Sequence, residues 1–136
     1  MRPAPDVLRT VQDRATQREF LARHGLPQTR NATFSDEDEL AEAGRVVGYP
    51  CILKTRREGY DGKGQVRVAG PEDLVAAWDA IDRAPALLEA FVHFEREIAV
   101  VLARDLAGDV AYYPIAENEH RDHVLHITRA PARVSA

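Results

Sequence analysis

Apolar and polar positions change period several times along the chain, and each change marks an element. Over Val11–His24 apolar residues recur at helical spacing, with Phe20 and Leu21 on one face and Val11 and Ala15 near it. Gly25 and Pro27 then supply a stop. Residues 1–8, MRPAPDVL, hold two prolines and are expected to form a loose lead-in. Residues 28–34 alternate weakly, as a short strand would. Ser35 is a good N-cap for a second helix over 36–46 that ends at Gly48. Two β-rich runs, Cys51–Thr55 and Gln65–Ala69, then flank a polar loop and predict a hairpin. Gly70 and Pro71 open a third helix with proline in its first turn. Leu74, Val75, Trp78 and Ile81 form its apolar face, and Trp78 is expected in the core. From there the pattern turns to β. Leu87–Val92 is a short apolar run around one acid, Glu89. Glu95–Ala103 is rich in β-branched residues, Leu106–Asp109 reads as a turn, and Val110–Ala116 and Val124–Thr128 read as strands. Helices and a hairpin followed by antiparallel strands predict an α+β fold rather than an alternating parallel sheet.

Composition narrows the function classes. At 136 residues the chain is one domain or part of one. Hydrophobic content of 45% and charged content of 29% are ordinary for a soluble globular protein. The net charge of −4 argues against a general nucleic-acid binder. No apolar run approaches the ~20 residues that span a bilayer, and the N-terminus lacks the apolar region of a signal peptide. The single cysteine, Cys51, excludes an internal disulfide and fits a reducing cytoplasm. Its apolar strand predicts a buried structural thiol rather than a nucleophile. The acid-rich stretch 35–42, SDEDELAE, suits the first turns of a helix, where carboxylates meet the positive end of the dipole.

The chemistry gathers in residues 50–69, PCILKTRREGYDGKGQVRVA. The loop carries Gly59, Gly62 and Gly64, and glycine lets a backbone approach a ligand closely. Successive N–H groups in such a loop can form an anion-binding concavity. The chain has only two lysines, Lys54 and Lys63, and both lie in this stretch. The loop is no Walker A motif, because Lys63 is followed by Gly64 and Gln65 and then by a strand. It is no dinucleotide fingerprint either, because no helix opens after the glycines. The glycines alone suit an ordinary hairpin loop as well. Lys54 says more: a lysine inside the apolar run CILKT needs a partner, since an unpaired buried ammonium is costly.

Three blocks carry a resemblance: YPCILKTRREGYDGKGQ, LLEAFVHFEREIAVV and YYPIAENEHRDHVLHITRAP. Together they resemble the 5-(carboxyamino)imidazole ribonucleotide synthases, ATP-grasp ligases of bacterial and fungal purine synthesis, over about Gln12–Pro131. The resemblance implies a small ATP-grasp α+β subdomain over 11–86 after a lead-in at 1–10. An adenine linker and the first antiparallel strands of the larger subdomain would follow over 87–136. ATP would lie between two antiparallel sheets. Arg14 matches a nucleotide-contacting position, and Lys54 one that meets the α- and β-phosphates. Gly59, Tyr60, Asp61, Gly62, Lys63, Gly64 and Gln65 match the phosphate lid, with Lys63 where some relatives carry arginine. Tyr60 and Asp61 would also face aminoimidazole ribonucleotide. Glu89, Ala90, Phe91 and Val92 match the segment whose backbone reads adenine. Glu97 matches the acid that holds the ribose hydroxyls, with Glu95 as its near double on the same strand face. His120 matches a further nucleotide-site position.

The implied reaction joins bicarbonate to the γ-phosphate of ATP, giving carboxyphosphate. That species, or the CO₂ it releases, then carboxylates the exocyclic amine of aminoimidazole ribonucleotide. ATP and Mg²⁺ are the implied cofactors, and no Mg²⁺ ligand and no certain catalytic side chain is expected within this chain. The series His120, His123, His126 is not expected to bind metal, since residues three apart on a strand face opposite ways. Expected partners are the small molecules ATP, bicarbonate and aminoimidazole ribonucleotide, with no nucleic acid and no membrane; a homodimer stays open. The resemblance covers the middle of the family's fold, so the chain is expected to be a partial enzyme, inactive alone. Another ATP-grasp ligase and a non-catalytic nucleotide-binding module are the rival readings. The Tyr60–Asp61 pair and the ENEHRD block weigh against the former.

Overall fold

The computed structural model describes residues 4–57, 64–121 and 124–133. The chain forms two compact units, Met1–Val92 and His93–Ala136. In the first, helices α1 (Pro5–Gln12) and α2 (Arg14–Arg23) precede strand β1 (Asn31–Phe34), helix α3 (Glu37–Val47) and the strands β2 (Cys51–Thr55) and β3 (Gln65–Val68). A 3₁₀ turn at Pro71–Asp73 leads into α4 (Leu74–Asp79), and β4 (Ala86–Ala90) completes the unit. The strands form one antiparallel sheet in the order β1-β4-β2-β3.

Alternation gives this sheet two unlike faces. Phe34, Ala86, Leu88, Cys51, Leu53 and Val68 point to one face and join Leu40, Ala43 and Val47 of α3 with Leu74, Ala77 and Trp78 of α4 in a single core. Trp78 meets Phe34 edge-on at 5.5 Å, and its indole N–H donates to the Ala84 carbonyl at 3.0 Å, so it is a core residue as expected. Cys51 is fully buried, and burial pushes its thiol up from the ordinary range, as suits a structural residue. The opposite face carries Thr33, Leu87, Glu89, Ile52, Lys54, Gln65 and Arg67.

Local chemistry sets the helix ends, at places that differ from expectation. The presumed lead-in is helical: Pro5 stands in the first turn of α1, where its fixed φ and missing N–H are no handicap. Asp6 follows in that turn and pairs with Arg9 at 2.8 Å. The helix expected over Val11–His24 breaks at Asp13, whose extended backbone (φ −123°, ψ 116°) ends α1 and caps α2. Asp36, not Ser35, is the N-cap of α3. Its carboxylate accepts from the Glu39 N–H at 3.2 Å, while Glu39 accepts from the Ser35 N–H at 2.9 Å. This is a reciprocal cap displaced by one residue. α3 ends at Gly48, with φ 79°. Within α3, Gly44 lies where a Cβ would overlap the Tyr49 hydroxyl and stand 3.0 Å from Leu74 Cδ2. Its missing side chain lets the following segment pack closely against the helix.

The regular elements described in the second unit are all strands: β5 (Glu97–Ala99), β6 (Leu102–Arg104), β7 (Val110–Tyr112), β8 (Ala116–Arg121) and β9 (Val124–Arg129). β5-β8-β9 form one sheet and β6-β7 a ribbon. The strand expected over Glu95–Ala103 is therefore two strands in different sheets, and Val110–Ala116 stops at Tyr112. The turn at Leu106–Asp109 is present, held by the Asp105 carboxylate accepting from the Gly108 and Asp109 N–H groups at 2.8 and 2.9 Å. Among the described residues of this unit, Ala116 is the one buried side chain.

Candidate nucleotide site

The charged face of the first unit's sheet holds a three-residue ion cluster. Lys54 on β2 pairs in register with Leu87, and its neighbour Ile52 with Glu89, so Lys54 and Glu89 share a face of adjacent strands. Lys54 Nζ lies 2.7 Å from Glu89 Oε2. Arg18, reaching over from α2, binds the other oxygen, Oε1. The Glu89 side chain is 8% exposed, against 27% for Lys54 and 23% for Arg18. Burial by itself would raise the Glu89 carboxyl, but Lys54 and Arg18 outweigh it and hold the group below the ordinary glutamate range. Within the chain, the partner of this lysine in an apolar strand is a carboxylate on the next strand. Two cations on one carboxylate leave the cluster net positive. Gln65 stands opposite Lys54 across β2 and β3. Arg67, on the same face, lies with its guanidinium 4.7 Å from the Phe91 ring.

A second cluster grips the start of the glycine loop. The buried Asp13 carboxylate caps α2 through the Ala15 N–H at 2.9 Å. It also accepts from Arg56 Nε and Nη2 at 3.2 and 2.9 Å and from Arg57 Nε at 3.1 Å. Burial would raise this carboxyl; the hydrogen bonds from Arg56 and Arg57 more than offset that and leave it lowered. Arg14 works beside it. Its backbone N–H donates to the Arg56 carbonyl at 2.9 Å and its guanidinium to the Thr55 carbonyl at 2.8 Å. Arg14 is therefore placed at the end of β2, next to the loop. Gly59, Tyr60, Asp61, Gly62 and Lys63 lie outside the described residues. Gly64 closes the described part of the hairpin, its carbonyl accepting from the Thr55 N–H at 3.0 Å.

The expected adenine linker begins inside the sheet. Glu89 and Ala90 end β4, the Ala90 N–H donates to the Arg30 carbonyl at 2.9 Å, and the Phe91 N–H donates to the Pro50 carbonyl at 3.1 Å. The half-exposed Val92 ends the first unit. In the second unit, Glu97 on β5 and His120 on β8 come together, with His120 Nδ1 3.3 Å from Glu97 Oε2. Glu95 precedes β5, and His126 lies on β9. His123 falls outside the described residues. Among the described residues no group of three or more His, Cys, Asp or Glu side chains is placed to hold a metal ion. None of the described helices is long and apolar enough to cross a membrane.

Sequence reasoning named Glu89 only for its backbone. The signal for its carboxylate was present: a lone acid in one apolar run and a lone lysine in another call for each other. Arg18 gave no signal, being one arginine among several on a polar helix.

Residues 19–136 match the model of the ATP-grasp domain. The N5-carboxyaminoimidazole ribonucleotide synthase of Brucella melitensis is 45% identical over 135 residues, which is 98% of this chain and 37% of that protein. A carboxyaminoimidazole ribonucleotide synthase from Aspergillus clavatus, solved in complex with ATP, superposes with a TM-score of 0.90 at 31% identity, covering 98% of this chain and 35% of that one. A second structure of the Aspergillus clavatus protein, with ADP and 5-aminoimidazole ribonucleotide, gives a TM-score of 0.82 at 29% identity over 94% of this chain and 33% of that one. The chain thus spans about a third of the length of each of these relatives. With a domain model matched over most of its length and a fold shared with solved members, the chain belongs to the ATP-grasp family.

Proposed function

We propose that this chain supplies nucleotide-binding groups to an enzyme that carboxylates 5-aminoimidazole ribonucleotide with bicarbonate at the expense of ATP, in purine synthesis. The observation that carries the proposal is the net-positive Arg18–Glu89–Lys54 cluster on the charged face of the sheet. A phosphate brought to Lys54 would meet an ammonium held in place by one carboxylate oxygen, with two of its three N–H donors left over. Arg14 and Gln65 border the same region, at the end of β2 and opposite Lys54. Glu97, paired with His120, is assigned to the ribose hydroxyls, and Tyr60 and Asp61 to the ribonucleotide substrate.

Phosphoryl transfer of this kind depends on positioning and charge neutralisation more than on covalent help. This chain's part is positioning: Lys54 orients phosphate oxygens, and the gripped base of the glycine loop fixes where the loop starts. Mg²⁺ would neutralise the transferring phosphates; among the described residues no three His, Cys, Asp or Glu side chains gather to hold it. Because the chain spans about a third of its relatives, the proposal gives nucleotide binding to these residues and the full reaction to the whole protein. The 136 residues alone are expected to bind nucleotide without turnover, and steady ADP release that depends on aminoimidazole ribonucleotide would overturn that. The compartment we infer is the cytoplasm, on the strength of one buried thiol and no second cysteine.

Calorimetry with a non-hydrolysable ATP analogue tests the assignment. Lys54→Met removes one charge-assisted contact and is expected to cost ~1.5–3 kcal/mol, which is roughly a tenfold to hundredfold loss of affinity. Equal affinity in a folded variant would rule out Lys54 as a phosphate ligand.

A further inference from the structure

The ion cluster contains one side chain that the proposed function leaves without a task. Arg18 precedes the segment matched by the ATP-grasp model, and it comes from α2 rather than from the sheet. Its side chain is partly buried, and its guanidinium occupies Glu89 Oε1 while Lys54 occupies Oε2. Its Nε is buried with no hydrogen-bond partner among the described residues. A planar guanidinium that never titrates is a permanent charge at this point.

Lys54 and Glu89 alone would make a neutral pair, with a carboxylate 2.7 Å from the ammonium to repel any approaching anion. A second cation on the far oxygen cancels that repulsion and restores the net positive charge. We propose that Arg18 is a positioning residue for Lys54: by sharing the Glu89 carboxylate it holds that carboxylate in place and leaves the Lys54 ammonium free to take a phosphate of a nucleoside triphosphate. This inference rests on the nucleotide reading of Lys54. Arg18 acts through Glu89, one residue removed from the ligand. A role limited to pinning α2 onto the sheet would change stability but not the environment of the lysine.

The small number of lysines makes the test direct. Labelling lysine side chains with ¹³C at Cε in the full chain gives two signals, from Lys54 and Lys63, which Lys54→Met assigns. In Arg18→Gln the Lys54 signal is expected to shift while the Lys63 signal stays. Affinity for a non-hydrolysable ATP analogue should fall by about threefold to thirtyfold, the range for one charge acting at short distance through a protein-like dielectric. Arg18→Lys, which keeps the charge, should stay within about threefold of the unsubstituted chain. If Arg18→Gln does not fold, Arg18→His repeats the test by switching charge with pH around about 6.5. Its affinity relative to the unsubstituted chain should then rise between pH 8 and pH 5.5, and a constant ratio overturns the inference. An analogue that binds the unsubstituted chain and folded Arg18→Gln equally overturns the inference alone. Failure of the unsubstituted chain to bind overturns the nucleotide reading and the inference with it.

Discussion

Among single residues, Asp13 concentrates the most consequences. Its extended backbone ends α1, while its buried carboxylate caps α2 and holds both arginines at the start of the glycine loop. Its lowered pKa fixes the sign of a pH effect. A carboxyl whose folded pKa lies below its unfolded value contributes stability that is fully present above about pH 4 and fades as pH falls through the folded value. Asp13→Asn keeps an acceptor for the helix cap but loses the charge, and should cost about 1–3 kcal/mol near neutral pH. Denaturant melts at pH 7 and at about pH 2.5 should show the gap between the two proteins closing on acidification. A gap that stays constant would mean that the arginines contribute nothing through charge. Glu89 adds to the same acid sensitivity, because Lys54 and Arg18 lower its carboxyl too.

At the level of elements, α3 and its exit offer the sharpest test. Gly44→Ala brings two opposed effects: a gain of about 1 kcal/mol in helix propensity and an overpacking cost of about 1–3 kcal/mol where the new methyl meets Tyr49 and Leu74. Steric cost should win, and the thermal midpoint should fall by several degrees; a higher midpoint would show that Tyr49 swings aside freely. The elements also show what a sequence conveys. The β2–β3 hairpin, the stop at Gly48 and the place of Trp78 were legible, because alternation, glycine punctuation and helical spacing are local signals. α1 was not legible, because a proline reads as a breaker until its position in the first turn is known. β8 was not legible either. Its residues, AENEHR, are nearly all polar, so its strand form follows from pairing with β5 and β9 rather than from any apolar alternation. The run from Glu95 to Ala103 had strand composition throughout, but composition does not say where a chain changes partners. The site divides along the same line. That Lys54 needs a partner was legible from its own surroundings, whereas Arg18 belongs to the ion cluster only because folding brings α2 to Glu89.

Across the whole molecule the two units differ in how they bury their side chains. The first has, among its described residues, one continuous core of thirteen buried side chains, which unites a four-stranded sheet with two helices. In the second, β6 and β7 form a two-stranded ribbon whose residues are all exposed, and such ribbons are marginal by themselves. Hydrogen exchange on the full chain should therefore find slow amides in β1, β2 and β4 and fast ones in β6 and β7. Equal protection in both would contradict this account of where stability resides. The two-faced sheet also bears on what kinds of genetic change the protein tolerates. Residues of β2 alternate between the core and the charged face, so one extra codon between Cys51 and Ile52 would exchange the two roles along the rest of the strand. Leu53 would turn toward the ions and Lys54 into the core. Substitutions along this strand can be graded in their effects, but a one-residue change in its length would disrupt the fold and the site together.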